Sequence, residues 1–223
     1  MMAASNPLVQ WSWVTGNWGD TIRPYLLQHA ELAAIAVGIG FVISLPSAVA
    51  VWWFRRARGP VFGFAGLLYT IPSIALFGII EPFTGYFSIT TGEVALVSYT
   101  LLILIRNIVV GLDAVPEEVR EAARAVGYSP LAELVRVDLP LALPSIFAGL
   151  RVATVTVVGL VNVTAFIGLG GLGQLILTGF QRSFNTPIVV ALVLSIAMAG
   201  LGDLVFVVAE RAVVRWARVV ETT

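Results

Sequence analysis

Long uncharged runs alternate with short arginine-bearing segments along this chain. The first run extends from Leu32 to Phe54, the second from Gly59 to Ile80, and the third, from Val94 to Leu112, contains a single charge. Two further apolar runs cover the second half of the chain. An α-helix of about 20 apolar residues crosses the roughly 30 Å hydrocarbon core of a bilayer. The pattern therefore predicts five transmembrane helices, near residues 30–54, 60–80, 93–112, 142–167 and 187–210.

The composition supports a membrane protein and excludes several other classes. Of 223 residues, 58% are hydrophobic and only 12% are charged, and the mean hydropathy is +0.94. Soluble domains carry about a quarter charged residues, so we expect an all-α integral membrane protein. The net charge is zero, which argues against nucleic acid as a partner. The chain has no cysteine and one histidine, His29, so we expect neither a metal site nor a cofactor.

The arginines predict how the chain lies in the membrane. Nine fall on one side of the predicted helices and two, Arg23 and Arg182, on the other. The nine are Arg55, Arg56, Arg58, Arg120, Arg124, Arg136, Arg211, Arg215 and Arg218. Because arginine accumulates on the cytoplasmic side, we expect the N-terminus outside and residues 211–223 as a cytoplasmic tail. Residues 1–25 then form an extracytoplasmic segment, which either lies at the interface through its tryptophans or is a mobile tail.

Residues 113–139 form the most charged stretch and the only long cytoplasmic loop of this topology. Pro116 is typical of a first helical turn, and the glutamates after it favour the positive end of a helix. Gly127 can end that helix in a left-handed conformation. Ser129 and Pro130 suit the cap and first position of another helix. We therefore predict two short helices at the membrane surface.

The same loop carries a motif. Glu121-Ala122-Ala123, three residues, Gly127, nine residues and Val137-Asp138-Leu139-Pro140 match the EAA signature of bacterial ABC importer permeases, with valine where isoleucine is usual. The chain resembles that family, and the resemblance implies a type I permease fold like that of methionine permeases, with residues 26–210 as the transmembrane domain. In the family this loop supplies the coupling helix, which docks on the ATP-binding subunit. The implied contact residues are Glu118, Glu121, Ala122, Ala123, Arg124, Gly127, Leu139 and Pro140.

An interfacial helix without a partner is the alternative for this loop. Such a helix should carry bulky apolar residues and a basic polar face, whereas this one has alanines and acids. Docking is therefore the favoured interpretation.

A narrower resemblance points to a substrate class. Residues 69–76, 105–111, 139–151 and 167–173 are similar to osmoprotectant permeases, and parts of them also occur in methionine-type permeases. The resemblance implies import of glycine betaine, choline, carnitine or proline betaine, with methionine or another amino acid as the alternative. It also implies an extracytoplasmic binding protein, a cytoplasmic ATP-binding subunit and a second permease, identical or paralogous. The chain carries no Walker A motif, so we expect no ATP hydrolysis by it; a membrane enzyme or scaffold is a more distant alternative.

The glycine-rich segment from Gly168 to Gly173 could be mistaken for a dinucleotide-binding fingerprint. That fingerprint follows a buried strand and requires an acid about 20 residues later. Here it follows a predicted membrane helix, and the next acid is Asp203. We expect these glycines to turn the chain at the membrane edge or to pack against a partner permease.

Three charges fall inside predicted membrane helices, where charges are costly and usually functional. Counting about 1.5 Å per residue from the cytoplasmic ends places Arg151 and Asp203 at similar depths. They could form a structural ion pair, or Arg151 could extend to the surface while Asp203 faces water. Arg106 is a competing partner for Asp203.

The remaining polar residues of the spans are candidates for the transport pathway. They include Tyr69, Ser73, Tyr99 and Asn162, together with Thr154, Thr156 and Thr164. The alternative is that the hydroxyl groups bond the helix backbone. The tyrosine rings would suit a cationic or zwitterionic substrate through cation–π attraction.

Overall fold

The computed structural model describes residues 8–214, which are almost entirely helical. The α-helices are α1 (Trp11–Asn17), α2 (Arg23–Trp53), α3 (Arg58–Thr70), α4 (Ser73–Thr84), α5 (Ile89–Asp113), α6 (Glu117–Ala125), α7 (Pro130–Glu133), α8 (Leu139–Val161), α9 (Gly173–Gln181) and α10 (Asn185–Val213). Turns of π-helix at Trp18–Ile22 and Leu134–Asp138 join α1 to α2 and α7 to α8. Short 3₁₀ helices occupy Arg55–Ala57 and Asn162–Ile167.

The first membrane helix is longer than the sequence pattern predicts. It begins at Trp11 rather than near residue 30 and runs through the π turn to Trp53. Its start packs on α10: the ring of Trp13 meets the ring of Phe184 edge-on at 5.6 Å, and the amide of Gln10 donates to Thr186 at 2.9 Å. The part of the N-terminal segment from Trp11 onward is therefore helical and held against α10. Residues 1–7 lie outside the described part of the chain.

The predicted second span is two helices rather than one. Helices α3 and α4 meet at Ile71 and Pro72 and are bent by 103°. Pro72 lacks a backbone N–H group and disfavours helical geometry in the residue before it, and both residues are extended, with ψ of 128° and 134°. The prediction of one helix over 60–80 is wrong at this point. The described residues contain four helices able to cross a membrane, or five if the bent pair is one span.

The other spans agree with the pattern to within a turn at most ends. Helix α5 corresponds to the predicted 93–112, α10 to 187–210, and α8 with its 3₁₀ extension to 142–167. The sequence analysis did not predict α9. At 9 residues it is too short and too close to the preceding apolar run to give a separate signal.

Helix α5 forms the centre of the molecule, between α2 and α8. Leu104, Ile108 and Leu112 on it are fully buried. Small residues let the neighbouring helices approach closely, as is common in membranes. A Cβ atom on Gly40 of α2 would lie 1.9 Å from the hydroxyl of Thr100, and one on Gly149 of α8 would lie 2.7 Å from Asn107. Helix α10, by contrast, buries little of its apolar surface within this chain.

The glycine-rich segment is a compact turn, as predicted. Gly168, Gly170 and Gly171 all have positive φ, between 68° and 81°, which side chains disfavour. The backbone of the turn is tied to α2: the amide of Leu172 donates to Nδ1 of the fully buried His29 at 3.2 Å. Nε2 of His29 lies 3.0 Å from the carbonyl oxygen of Val158. The lone histidine therefore fastens α2 to α8 and to this turn.

Candidate functional site

The charged loop folds into the two short helices that its sequence predicts. Helix α6 ends at Ala125, and Gly127, just beyond its cap, has a left-handed φ of +88°. The amide of Gly127 donates to the carbonyl of Arg124, and the amide of Tyr128 donates to that of Ala123, which is the Schellman arrangement. The hydroxyl of Ser129 then accepts from the amide of Ala132 at 3.3 Å and caps α7. Both the stop signal and the start signal of the sequence are confirmed.

One face of α6 is fixed to the rest of the loop by a forked ion pair. Nε and Nη2 of Arg124 donate to the two oxygens of Glu133, at 2.9 and 3.0 Å. Nη1 of Arg124 also donates to Glu117 at 3.0 Å. The hydrogen bonds with Glu133 raise the pKa of Arg124 above its ordinary value, so the guanidinium stays charged at every physiological pH. The polar atoms of Arg124 therefore bond its own chain, but its side chain is 53% exposed, and the partner contact expected of it stays a prediction.

A second arginine, Arg120, joins α6 to the membrane helices. Its Nε donates to Oδ1 of Asp138 at 2.8 Å, and its Nη2 donates to the carbonyl of Leu112 at 2.6 Å. Its guanidinium also lies over the ring of Trp52, 5.2 Å from the centroid. Sequence reasoning missed Arg120, Glu117, Glu133 and Asp138 as a group. The available signal was the concentration of charge in residues 113–139, the most charged stretch of this membrane protein.

The opposite face of α6 is turned away from the rest of the described chain. Glu118, Glu121 and Ala122 are exposed, and the side chain of Val126 is 74% exposed. Neither glutamate makes a hydrogen bond or an ion pair with any residue from 8 to 214. We call Glu118, Glu121, Ala122 and Val126 the α6 outer face. It is acidic with a small apolar centre.

One expectation for this loop needs correction. Ala123 is only 7% exposed, so it faces the chain's own interior and cannot offer a small surface to a partner as Ala122 does. The partner contacts expected of Leu139 and Pro140 stay predictions. These two residues are half-buried at the start of α8 and line a small apolar groove with Phe41 and Leu45.

The structure brings two of the three intramembrane charges together. Nε and Nη2 of Arg151 donate to the two oxygens of Asp203 at 2.7 and 3.1 Å. Arg106 takes no part, because its guanidinium lies 5.6 Å from the ring centroid of Phe62. The side chains of Arg151 and Asp203 are 38% and 34% exposed in this chain, so the pair lies at the edge of the helix bundle.

Three of the four residues proposed for a pathway gather where the second span is broken. The rings of Tyr69 and Tyr99 meet edge-on at 5.9 Å, and the hydroxyl of Tyr99 donates to the carbonyl of Ile71. Ser73 opens α4 immediately after the break. Asn162 lies apart: its side chain bonds Ser195 of α10 at 3.3 Å.

Two of the threonine hydroxyls, on α8 and on the 3₁₀ helix after it, follow the alternative interpretation. Thr154 donates to the carbonyl of Leu150, and Thr164 donates to that of Val161, both at 2.8 Å. Among the described residues, no group of three or more histidine or acidic side chains could hold a metal ion.

Comparison with known proteins identifies the family of this chain. The family model described as "Binding-protein-dependent transport system inner membrane component" matches residues 30–218. The osmoprotectant import permease protein OsmW of Salmonella typhimurium is 41% identical over 160 residues, which are 70% of this chain and 74% of that protein. The glycine betaine/carnitine/choline transport system permease protein OpuCB of Bacillus subtilis is 31% identical over 83% of this chain and 85% of its own length.

The fold also matches solved structures. An inward-facing structure of the MetNI methionine ABC transporter superposes with a TM-score of 0.75 at 24% identity, covering 84% of this chain and 94% of that one. A second inward-facing structure of the same transporter gives a TM-score of 0.74 over 94% of this chain. This likeness shows the type I permease fold. With the family match over most of its length, the chain belongs to the inner-membrane permease components of binding-protein-dependent transport systems.

Proposed function

We propose that this chain is the permease subunit of an ATP-driven importer of osmoprotectants and forms half of its translocation pathway. One observation carries the coupling role: the EAA motif folds into a helix braced on one face and unpartnered on the other. The α6 outer face presents two glutamates without an ion-pair partner among residues 8–214, around a small apolar centre. This chemistry suits a partner groove with basic rims, which we assign to a cytoplasmic ATP-binding subunit.

The transport cycle needs further subunits. ATP is hydrolysed by the ATP-binding subunit, and this chain contributes no catalytic group. An extracytoplasmic binding protein delivers the substrate, and a second permease, identical or paralogous, completes the pathway. Closure of the ATP-binding subunits moves α6, and this movement switches the permease pair between inward- and outward-facing states.

The substrate class is supported by the relatives and by the residues at the break. The relatives named above are permeases for osmoprotectants, and for glycine betaine, carnitine and choline. Tyr69 and Tyr99 place two aromatic rings beside the broken span. Aromatic faces attract quaternary ammonium groups. We therefore favour betaines and choline over methionine, for which only the fold provides support.

Uptake by reconstituted vesicles tests this function. The permease is combined with the ATP-binding subunit and the binding protein encoded beside it, with labelled glycine betaine, choline or methionine as substrate. We expect ATP-dependent accumulation of a quaternary ammonium compound and none of methionine. Accumulation of methionine alone would establish the amino-acid alternative. Failure of any ATP-binding subunit to co-purify with the chain would favour the scaffold or enzyme alternative.

The orientation of the chain is a separate part of the proposal. The arginine distribution supports an outer N-terminus, an outer turn at residues 85–88 and a cytoplasmic α6. The chain has no cysteine, so single cysteines report topology directly. Thr90 and Ser129 are both exposed, at opposite ends of the predicted topology.

We expect a cysteine at position 90 to react with a membrane-impermeant maleimide in intact cells. A cysteine at position 129 should react only after the membrane is opened. Labelling of position 129 from outside would invert the topology and remove α6 from reach of a cytoplasmic partner. Positions 5 and 222, also suited to such labelling, lie outside the described residues.

A further inference from the structure

Arg120 lies between α6 and three membrane helices, and its side chain is only 11% exposed. Its polar contacts reach the start of α8 at Asp138 and the end of α5 at Leu112. Its guanidinium also covers the ring of Trp52 at the end of α2. One side chain of α6 therefore contacts the cytoplasmic ends of three helices that form the centre of the bundle.

These contacts require both the positive charge and the planar shape of an arginine side chain. Asp138 is 1% exposed, and the described chain offers it only Arg120 as a salt-bridge partner. The carbonyl of Leu112 belongs to the last turn of α5, where carbonyls lack helical partners and favour a nearby cation. Arginine satisfies both because its planar fork donates in several directions at once. Lysine would keep the charge but lose the fork.

The other charged residues of α6 do not make such links. Arg124 bonds Glu117 and Glu133, which belong to the same loop. Glu118 and Glu121 make no ion pair or hydrogen bond with the described residues. Within residues 8–214, the polar connection from α6 to the membrane helices therefore passes through Arg120.

We propose that Arg120 is the positioning residue that transmits movement of α6 to α2, α5 and α8. Without it, α6 still docks on the ATP-binding subunit through its outer face but no longer moves the membrane helices with it. This proposal rests on the coupling role proposed above. It adds the residue through which movement of α6 reaches the membrane helices.

Arg120→Gln in the reconstituted complex tests the proposal. We expect binding of the ATP-binding subunit and basal ATP hydrolysis to stay near the wild-type values. Substrate transported per ATP hydrolysed should fall about tenfold or more, because several charge-assisted contacts are lost together. Arg120→Lys should recover part of the ratio. A role in folding alone would lower the yield without changing this ratio in the protein that remains.

Arg58→Gln is a matched control. Arg58 makes a forked pair with Asp113, at 2.7 and 2.8 Å, about as short as the single bond between Arg120 and Asp138, but contacts no residue of α6 through it. The transport ratio of this variant should stay near wild type, and an equal loss in both variants would overturn the proposal.

Asp138→Asn is a second test of the proposal, because it removes the charge that pairs with Arg120 while keeping the shape of the side chain. A normal transport ratio in folded Arg120→Gln or Asp138→Asn protein would overturn the proposal, as would failure of both to fold. If the wild-type protein itself binds no ATP-binding subunit, the proposed coupling role is wrong. This result is distinguishable from a failure of the Arg120 proposal, in which the wild-type protein binds the subunit normally.

Discussion

Ala122→Trp should leave the protein folded and disable its coupling, whereas Ala123→Trp should prevent folding. The two alanines are adjacent in the motif, but Ala122 is exposed and Ala123 is 7% exposed beneath α6. An indole at position 122 extends from the α6 outer face and blocks close approach of a partner. An indole at position 123 must displace close-packed neighbours, and overpacking typically costs about 1–3 kcal/mol even for smaller insertions.

Thermal unfolding in detergent and affinity for the ATP-binding subunit distinguish these results. Ala122→Trp should unfold at the wild-type temperature and bind the ATP-binding subunit at least about tenfold more weakly, as loss of a central interface contact does. Thr90→Trp is the control. Position 90 is also exposed, but it lies in the first turn of α5, whereas α6 follows the last turn of that helix. Unchanged affinity of the Ala122 variant would show that the partner docks elsewhere.

The ion pair between Arg151 and Asp203 should behave as a unit. We expect Arg151→Leu and Asp203→Leu each to lower the thermal stability of the protein, because each leaves one charge without its partner among apolar helices. The double variant should recover much of the loss, since two leucines suit the edge of a membrane bundle. The forked geometry, at 2.7 and 3.1 Å, is the basis for this expectation.

A double-mutant cycle on unfolding temperature measures the interaction. Arg106→Leu combined with Asp203→Leu is the control, because Arg106 lies over Phe62 and not beside Asp203. Its effects should simply add. If the effects at Arg151 and Asp203 also add, the pair does not act as a clamp. Asp203 would then be tested as a pathway residue through transport at unchanged stability.

The sequence predicts the spans of this protein well because burial in lipid demands long apolar runs. It predicts the two loop helices equally well because Gly127 and Ser129 carry local signals for a helix end and a helix start. The break at Pro72 also has a local signal, but the uninterrupted apolar run from Gly59 to Ile80 conceals it. Local chemistry and hydropathy therefore explain most of the elements.

The sequence did not predict in the same way which face of each helix is buried and which is exposed. Ala122 and Ala123 are chemically identical, and only the rotation of α6 makes one exposed and the other buried. On the inner side of α6, Arg120 and Arg124 pair with Asp138 and Glu133, which lie 18 and 9 positions away in the sequence. Pairings over such separations depend on how the helices pack, which residue spacing along one chain does not specify.

The bent second span has a consequence for where lipid can lie around this subunit. Helices α3 and α4 have 13 and 12 residues, about 20 and 18 Å, so neither crosses a 30 Å hydrocarbon layer alone. Taken together as one broken span, they place their junction at depth, where acyl chains offer no hydrogen bonds to backbone released from a helix. The hydroxyl of Tyr99 satisfies the carbonyl of Ile71, and the remaining junction requires protein or water beside it. The break thus identifies a flank of the subunit from which acyl chains are excluded.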